Sequence, residues 1–495
     1  MEKGQQYSHL IYEYFLMRFR FGYYQFGDVL PLIETLCREF CVADQTVKAA
    51  LHRLCDEGYI EMARGRPTRV LFHQTEQQLH NFIVAHFSAR WRSFSDLYAS
   101  AEFIFVPLLV EGFRRMSKEE LELLSRFAVR AGKDALLHFY CAVLQKLNNP
   151  LAMNFFWETS LFQGFPLAKL ENRPTQYAPE AIRERMSRLV SYAGARQWDM
   201  VHAALADSLR GDIGRLTGYW NRYIKSLPEA RQITFEWRIY RDRPQICYNL
   251  AFSLLHEIYM GEYREASSLP SYAELAQKHD VSVNTVRRAV GLLNKIGAAQ
   301  TVNGKGTLIY TLGKQCNPPD FTDPMVRRNF PLFIQSFELA LYTCENVMRT
   351  FLPDMSREER EELVCLLRRN LSCGHGDASL WHCLLHVARY SRLQVVREFY
   401  KKIYGLFLWG YPLKASMAST PELDAEAVTF TETMIRYLEE NDVEQCTETL
   451  KGLLAGLFPK AEGYLLQQGI TPEEIRIPNA IRFLAVEDYF ERSAN

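Results

Sequence analysis

Two short stretches of the chain carry amide and basic side chains at helical spacing. VADQTVKAAL occupies 42–51 and VSVNTVRRAV occupies 281–290, a constant shift of 239 positions. In and after each stretch, apolar residues recur at i, i+3, i+4 and i+7, which leaves the polar side chains on the opposite helix face. Exposed amide and guanidinium groups can donate hydrogen bonds to the phosphates and base edges of DNA. The candidate residues are Gln45, Lys48 and Arg53 at the first stretch, and Asn284, Arg287 and Arg288 at the second.

Further basic and amide residues follow each stretch in a segment with turn signals. MARGRPTRV contributes Arg64, Arg66 and Arg69. In the second copy, two β-prone runs flank Asn303-Gly304, a strong hairpin signal, and Lys305 comes next. Cations on such a wing suit phosphates or a minor groove. A polar hairpin with no nucleic-acid role is the alternative.

The two stretches belong to a longer internal repeat. Residues 22–70 align with 261–309 without a gap. At the same shift, MSKEELELL at 116–124 meets MSREEREEL at 355–363. The pattern indicates a tandem duplication of a unit of roughly 240 residues.

The helices that must position the candidate residues are clearest in the second copy. An amphipathic stretch at 246–260 stops at a glycine, and Pro270 is expected in the first turn of the next helix, at roughly 271–279. Ser282 is a suitable N-cap for a third helix, which Gly297 closes. Three helices and a hairpin form the winged helix-turn-helix plan, in which the third helix enters the DNA major groove. The expected buried stripe is Val286, Ala289, Val290 and Leu293, and in the first copy Val47, Ala50, Leu51 and Leu54.

The motif set over 261–307 is specific as a combination. It contains Leu-Pro, Leu-Ala, VS-x-x-TVRRA and GKGT in this order, and it resembles the GntR family of bacterial transcription regulators. Residues 22–70 are a more diverged match. Family members normally carry one such domain, followed by an effector-sensing or oligomerisation domain, and bind operators as dimers. Where the resemblance implies arginines, this chain has Glu34 and Asp44 in the first copy, and Ala273 and Val283 in the second.

The segments 77–225 and 315–480 have long apolar-periodic stretches that predict helices. The expected fold is therefore mainly α, with two winged helix-turn-helix domains alternating with two all-helical domains in a pseudo-two-fold duplication. The predicted domains are 1–75, 76–240, 241–313 and 314–495.

The resemblance extends to an effector site in the first helical domain. KDALLHFYCAVLQKLNNPL at 133–151 resembles a family helix with an Asp and a His one turn apart, here Asp134 and His138. Their i, i+4 spacing would let both point at one metal ion. Arg188 and Arg210 stand where the family has two further histidines, which favours an anionic organic ligand over a metal. A structural Asp–His pair is the third alternative.

Composition narrows the class of protein. The 58 basic and 58 acidic residues cancel, so only local patches can hold a polyanion. Eleven cysteines without a C-x-x-C pair indicate free thiols in a reducing cytoplasm. No signal-like N-terminus and no run of 18 apolar residues occurs, so no membrane association is expected. The common nucleotide-binding and hydrolase motifs are absent, so the sequence predicts neither an enzyme nor a cofactor.

The sequence thus predicts a cytoplasmic, bacterial, DNA-binding transcription regulator. Fusing two units in one chain would supply both heads covalently, as a monomeric pseudo-dimer on an operator with two unlike half-sites. A small molecule in the helical domains would change operator affinity. Two alternatives stay open: a winged-helix scaffold that has lost DNA binding, and a ligand sensor with another output.

Overall fold

The computed structural model describes residues 3–40, 42–130, 135–164, 179–220, 224, 227–239, 246–259, 262–263, 266–310, 318–410, 413 and 421–476. The chain divides into two compact units, the first comprising Met1–Arg243 and the second Pro244–Ile477. Each unit begins with a winged-helix head and continues into a helical domain, and the fold is mainly helical as predicted.

The first head consists of three helices and a small two-stranded wing. The strands are antiparallel, with Ile60 opposite Val70, and Val29 adds an isolated bridge to Arg69. Phe15 and Phe19 of the first helix are buried, and so is the predicted stripe of the third helix. The elements are α1 (Lys3–Arg20), α2 (Ile33–Phe40), α3 (Asp44–Asp56), β1 (Ile60–Glu61) and β2 (Arg69–Val70).

The first helical domain follows directly. Among the described residues, its first helix is the one that is long and apolar enough by composition to cross a membrane, but 56% of its apolar window is buried inside the protein. A core helix has the same properties. The elements are α4 (Glu76–Arg114), α5 (Lys118–Arg130), α6 (Ala135–Gln145), α7 (Pro150–Gln163), α8 (Pro179–Gly194) and α9 (Trp198–Trp220).

The helical domain and the first head share a core. Phe21, at the end of the first head's α1, packs with Ile83, Phe87 and Phe94 of α4 in one buried cluster. The His86 ring meets the Phe21 ring edge-on, with centroids 5.1 Å apart. The first head therefore packs against the long helix α4.

Residues 232–238, which we call the strap, have no regular secondary structure and pack on the first helical domain. Gln232 donates from Nε2 to the Ser88 carbonyl at 3.0 Å. Trp237 is fully buried and donates from Nε1 to Asn154 Oδ1 at 2.7 Å. The strap thus contributes Phe235 and Trp237 to the first unit's core.

The strap also contacts the first head. Arg238 donates from Nε to Glu158 Oε2 of α7 at 3.2 Å and reaches Glu13 Oε2 of α1 at 3.5 Å. The Glu158 side chain is only 1% exposed, so the guanidinium supplies a charge partner to a buried carboxylate. One arginine therefore connects head and helical domain.

The second head repeats the plan with a longer wing. Ala299 pairs with Ile309, Val302 pairs with Gly306, and the loop between them has three residues, 303–305. The predicted stripe Val286, Ala289, Val290 and Leu293 is buried. The elements are α10 (Ile246–Tyr259), α11 (Tyr272–Lys278), α12 (Val283–Lys295), β3 (Ala299–Val302) and β4 (Gly306–Ile309).

The predicted start of the second head's α11 was wrong. Pro270 was expected in the first turn, but the helix begins at Tyr272 with Ser271 as its N-cap. Ser271 Oγ accepts from the Glu274 N–H, and the Glu274 side chain accepts from the Ser271 N–H. This capping box satisfies two backbone donors, so it fixes the start, and Pro270 lies before the cap.

Among the described residues, the second helical domain has six main helices in the same order as the first. A short helix, α19, follows them, and its Glu474 forms an ion pair with Arg327. The elements are α13 (Pro324–Asp354), α14 (Arg357–Ser372), α15 (Ser379–Tyr390), α16 (Gln394–Phe407), α17 (Pro421–Glu440), α18 (Val443–Gln467) and α19 (Pro472–Ile475).

Candidate nucleic-acid interface

The third helix of the second head presents three polar side chains to solvent. Ser282 caps it as predicted, with Oγ accepting from the Thr285 N–H at 3.1 Å. Asn284, Arg287 and Arg288 are exposed on the face opposite the buried stripe. None of the three has a hydrogen bond or ion pair with any residue in the described part of the chain. Their donors are therefore available to a ligand.

On the equivalent helix of the first head, α3, the basic side chains contact other residues of the same head. Lys48 Nζ lies 2.6 Å from Asp44 Oδ2, one turn earlier on α3. Gln45 and Lys48 are exposed, as predicted. The N-cap position holds Ala43, which provides no side-chain hydrogen bond. The negative charge of Asp44 therefore cancels the positive charge of Lys48 on this face.

Arg53 is held against the first helix of the same head. Its guanidinium carbon lies 3.8 Å from the centroid of the Tyr12 ring, and Nε donates to Glu57 Oε1 at 3.1 Å. Nη1 lies 3.0 Å from His9 Nδ1. The Tyr12 hydroxyl donates to Glu57 at 2.5 Å, and this bond lowers the pKa of Glu57. Burial, followed by the same bond, raises the pKa of Tyr12 to about 12.

The wing of the first head presents two exposed arginines on a tight turn. The Arg66 N–H donates to the Ala63 carbonyl at 3.1 Å, and Gly65 has φ of 75°, which favours glycine. Arg64 and Arg66 have no side-chain partner among the residues that the structure describes. Both guanidinium groups are free to contact phosphates.

Arg69, the third predicted wing arginine, points back to the head. Its Nη1 donates to the Gly27 carbonyl at 3.2 Å, and its backbone belongs to β2. It therefore fastens the loop before α2 to the wing.

The wing of the second head carries Asn303 and Lys305 at its tip. Both are exposed, and Gly304 between them has φ of 74°. The Lys305 N–H donates to the Val302 carbonyl at 3.0 Å and closes the turn. The predicted hairpin is confirmed, with a three-residue connection. Both candidate residues lie where a wing would meet a duplex.

Three of the four predicted effector residues, His138, Arg188 and Arg210, lie within the described part of the chain. Asp134 lies outside the described residues, and His138 lies half-buried on α6. Arg188 lines a cleft of about 400 Å³ between α8 and α9, together with Arg185. Arg210 pairs instead with Asp207 at 3.2 Å and Glu102 at 3.5 Å. Within the described ranges, no group of three or more His, Cys, Asp or Glu residues could hold a metal ion.

The counterpart of His138 in the second unit is part of a buried polar cluster. His382 Nδ1 lies 2.8 Å from the Asn370 amide nitrogen, which also donates to Ser379 Oγ at 3.2 Å. All three residues are buried. The cluster holds α14 and α15 together through hydrogen bonds.

Two features of the site were missed from the sequence. The Asp44–Lys48 pair has i, i+4 spacing, which is a visible signal for an ion pair. A second feature, an aromatic cavity in the second helical domain lined by Phe333, Trp381 and Phe407, joins residues far apart in sequence. No local pattern could have revealed it.

Comparisons with known proteins agree with the geometry of both heads. Residues 8–70 and 249–309 each match the family model described as "Bacterial regulatory proteins, gntR family". No protein of curated function matches the chain.

Solved structures of similar proteins align with less than half of the chain. Streptococcus agalactiae GntR is 19% identical, covering 43% of this chain and 99% of its own, with a TM-score of 0.21. Lar, described as controlling the Listeria monocytogenes agr system, is 14% identical, covering 46% and 99%, with a TM-score of 0.23. E. coli McbR/YncC is 18% identical, covering 45% and 100%, with a TM-score of 0.22.

Proposed function

We propose that this chain, a transcription regulator with two gntR-family domains, binds double-stranded DNA with both heads and reads two unlike half-sites. The main support is that Asn284, Arg287 and Arg288 on the second head's third helix are exposed and have no partner among the residues that the structure describes. In a winged helix this helix enters the major groove. Arginine can bind guanine there through two hydrogen bonds, and asparagine can bind adenine in the same way. The second head is therefore the main base reader.

The first head contributes mostly contacts with the DNA backbone. Because Lys48 is paired with Asp44, breaking that pair offsets part of what a new phosphate contact would gain. Arg64 and Arg66 carry no such cost and sit on an exposed turn. We assign phosphate or minor-groove contacts to these two arginines. Gln45 supplies the remaining polar contact of this helix.

Arg53 and Arg69 have a different role in this proposal. Arg53 is stacked on Tyr12 and bound to Glu57, and Arg69 is bound to the Gly27 carbonyl. These contacts fix the first helix and the wing within the head. Both arginines therefore shape the first head, and neither is a principal DNA contact.

One chain with two heads needs no second copy to occupy an operator. The covalent link gives the second head a high effective concentration once the first is bound. The heads differ at the groove-facing positions, so the operator has two unlike half-sites about one helical turn apart. We expect a monomer in the bacterial cytoplasm, and a native mass of two chains would contradict this. A small molecule bound in a helical domain would change operator affinity.

Selection of bound duplexes from a random library tests this function. We expect a two-part, asymmetric motif whose affinity falls steeply with salt, because phosphate contacts release counterions. Arg287→Ala should abolish enrichment of the strongly specified part. Arg357→Ala is the matched control, since Arg357 is exposed on α14 of the same unit and pairs with Glu361. No enrichment even at low salt would contradict DNA binding by the chain alone and would leave a regulator that needs its effector, or the scaffold alternative.

A further inference from the structure

The two heads have the same turn at the tips of their wings but different side chains on it. In the first head the Arg66 N–H donates to the Ala63 carbonyl at 3.1 Å, and in the second the Lys305 N–H donates to the Val302 carbonyl at 3.0 Å. The glycine at the third place of each turn has φ of 75° or 74°, a positive value of the kind that a type II turn requires. The first wing therefore presents Arg-Gly-Arg at its tip, and the second presents Asn-Gly-Lys.

The outer side of the Arg-Gly-Arg turn is open. Arg64, Gly65 and Arg66 are exposed, and a Cβ atom added to Gly65 would meet no atom of the described residues within 4 Å. The two guanidinium groups have no side-chain partner in the described part of the chain. The backbone of the turn can therefore approach a ligand closely, with an arginine on each side of the glycine.

Hydrogen bonds hold the base of this wing to the segment before α2. The Gly27 N–H donates to the Val70 carbonyl at 2.9 Å, and the Leu30 N–H donates to the Thr68 carbonyl at 3.0 Å. The Arg69 guanidinium donates to the Gly27 carbonyl. Because the wing is fixed before binding, its backbone loses little conformational entropy when the tip meets DNA.

The third helix of the first head offers less to the major groove than its counterpart. Lys48 is paired with Asp44 at 2.6 Å, so Gln45 is the principal base-reading candidate on this helix. The second head exposes Arg287 and Arg288 on the same element. One amide specifies little sequence, so discrimination by the first head needs a further element, and its wing carries two exposed arginines.

We propose that Arg64 and Arg66 enter the narrow minor groove of an A·T tract, so that the first head recognises its half-site by groove width. A·T tracts have a narrow minor groove with an enhanced negative potential, which attracts inserted arginines. In G·C pairs the guanine amino group, a donor, lies in this groove. The second wing has an amide and one ammonium group at the equivalent positions, so the A·T requirement applies to the first half-site. This assignment rests on the proposed DNA-binding function.

The test uses duplexes that differ in the first half-site alone. The part that Arg287 specifies is kept, and the tract under the first wing is made of A·T, G·C or inosine·cytosine pairs. Inosine lacks the guanine amino group, so its pairs resemble A·T in the minor groove and G·C in the major groove. The full chain should bind the A·T and inosine duplexes alike and the G·C duplex about tenfold more weakly. An inosine duplex bound as weakly as the G·C duplex would overturn the proposal.

Equivalent positions on the two wings provide matched variants. Arg66→Ala removes a cation from the Arg-Gly-Arg turn, and Lys305→Ala removes the cation at the same place of the other turn. Both side chains are exposed, so neither variant should change the free energy of unfolding. Arg66→Ala should lose most of the preference for A·T over G·C. Lys305→Ala should weaken binding to all three duplexes equally, as loss of a phosphate contact does.

A charge-conserving variant separates groove insertion from a phosphate contact. Arg64→Lys combined with Arg66→Lys keeps both charges, but an ammonium group is more strongly hydrated than a guanidinium group and enters a narrow groove less readily. This double variant should keep the salt dependence of the parent and lose part of its A·T preference. An unchanged preference would overturn the insertion of the guanidinium groups.

Failure of this proposal and failure of the proposed function give different results. A chain that binds the A·T and G·C duplexes equally well would refute the wing proposal and leave DNA binding intact. A chain that binds none of the duplexes would contradict DNA binding by the chain alone, and the wing proposal with it.

Discussion

Lys48 and Asp44 form an ion pair of 2.6 Å on the first head's third helix, and the equivalent positions of the second head hold Arg287 and Val283. Duplication placed a basic residue at the same point of both helices. Only the first copy has a carboxylate one turn earlier to neutralise it. The two heads therefore share a fold but differ in the charge that they can offer to DNA.

The first prediction compares Arg287→Ala with Lys48→Ala. Loss of a base-reading arginine should weaken operator binding by about 1–3 kcal/mol, roughly fivefold to 150-fold. Loss of Lys48 should cost less than about threefold, because its charge is already paired. Fluorescence anisotropy with the selected duplex at fixed salt measures both. Equal losses of operator affinity would show that the Asp44–Lys48 ion pair does not weaken the DNA contact of Lys48.

The second prediction concerns Asp44→Asn. Removing the carboxylate releases Lys48, so affinity should rise and one further phosphate contact should form. The slope of log affinity against log salt should become steeper by about 0.9. Asp56→Asn makes the same change of charge at the end of the same helix, where the described residues show no ion pair with Asp56. If the two variants steepen the slope equally, the effect is one of overall charge.

The third prediction follows from His86, a buried residue of α4 whose ring packs against Phe21 of the first head. Burial, followed by repulsion from Arg90, lowers the pKa of His86 to about 3. The folded protein needs His86 neutral, whereas the unfolded chain can protonate it below about pH 6.5. The free energy of unfolding is therefore undiminished by His86 above about pH 6.5. Below that pH the free energy of unfolding falls by about 1.4 kcal/mol per pH unit, until the pH reaches about 3.

At pH 5 the loss should amount to about 2 kcal/mol of the first unit's free energy of unfolding. Urea unfolding at pH 7 and pH 5 measures the change, and His86→Gln should remove most of it. His52→Gln, at an exposed position on α3, is the control and should keep the pH dependence of the parent. A His86→Gln protein as acid-sensitive as the parent would assign the effect to other groups.

The fourth prediction concerns the packing of the aromatic cavity. Gly410→Ala forces the Phe333 ring to move, which should cost about 1–3 kcal/mol of stability. Gly452→Ala is the opposite case, since Gly452 is exposed in the middle of α18 with nothing within 4 Å of the added carbon. That variant should gain about 0.5–1 kcal/mol from helix propensity. Urea midpoints that shift in the same direction for both variants would contradict the packing argument.

Much of each head could be predicted because its signals are local. The buried stripe of α12, its Ser282 cap and the hairpin after it all depend on residues within a few positions of each other. The misplaced start of α11 has a local cause as well. The Ser271–Glu274 capping box was present in the sequence, but the proline beside it was given more weight.

The helical domains could not be resolved in the same way. Phe333, Phe407 and Lys460 all line the aromatic cavity. Phe333 and Lys460 lie on helices that are more than a hundred positions apart in the sequence. Helical periodicity marks each of these faces as buried, but it does not tell which faces meet. The neighbours of Arg188 and Arg210 could not be predicted for the same reason, because spacing along the chain does not determine tertiary neighbours.

The position of the strap in the sequence affects the order in which the two units can fold during synthesis. Trp237 is buried in the first unit's core, and the second head's first helix begins only at Ile246. On the ribosome the whole first repeat is therefore available for folding before the second head emerges from the exit tunnel. Vectorial synthesis separates two cores of similar pattern in time, which disfavours the docking of helices from one repeat into the other.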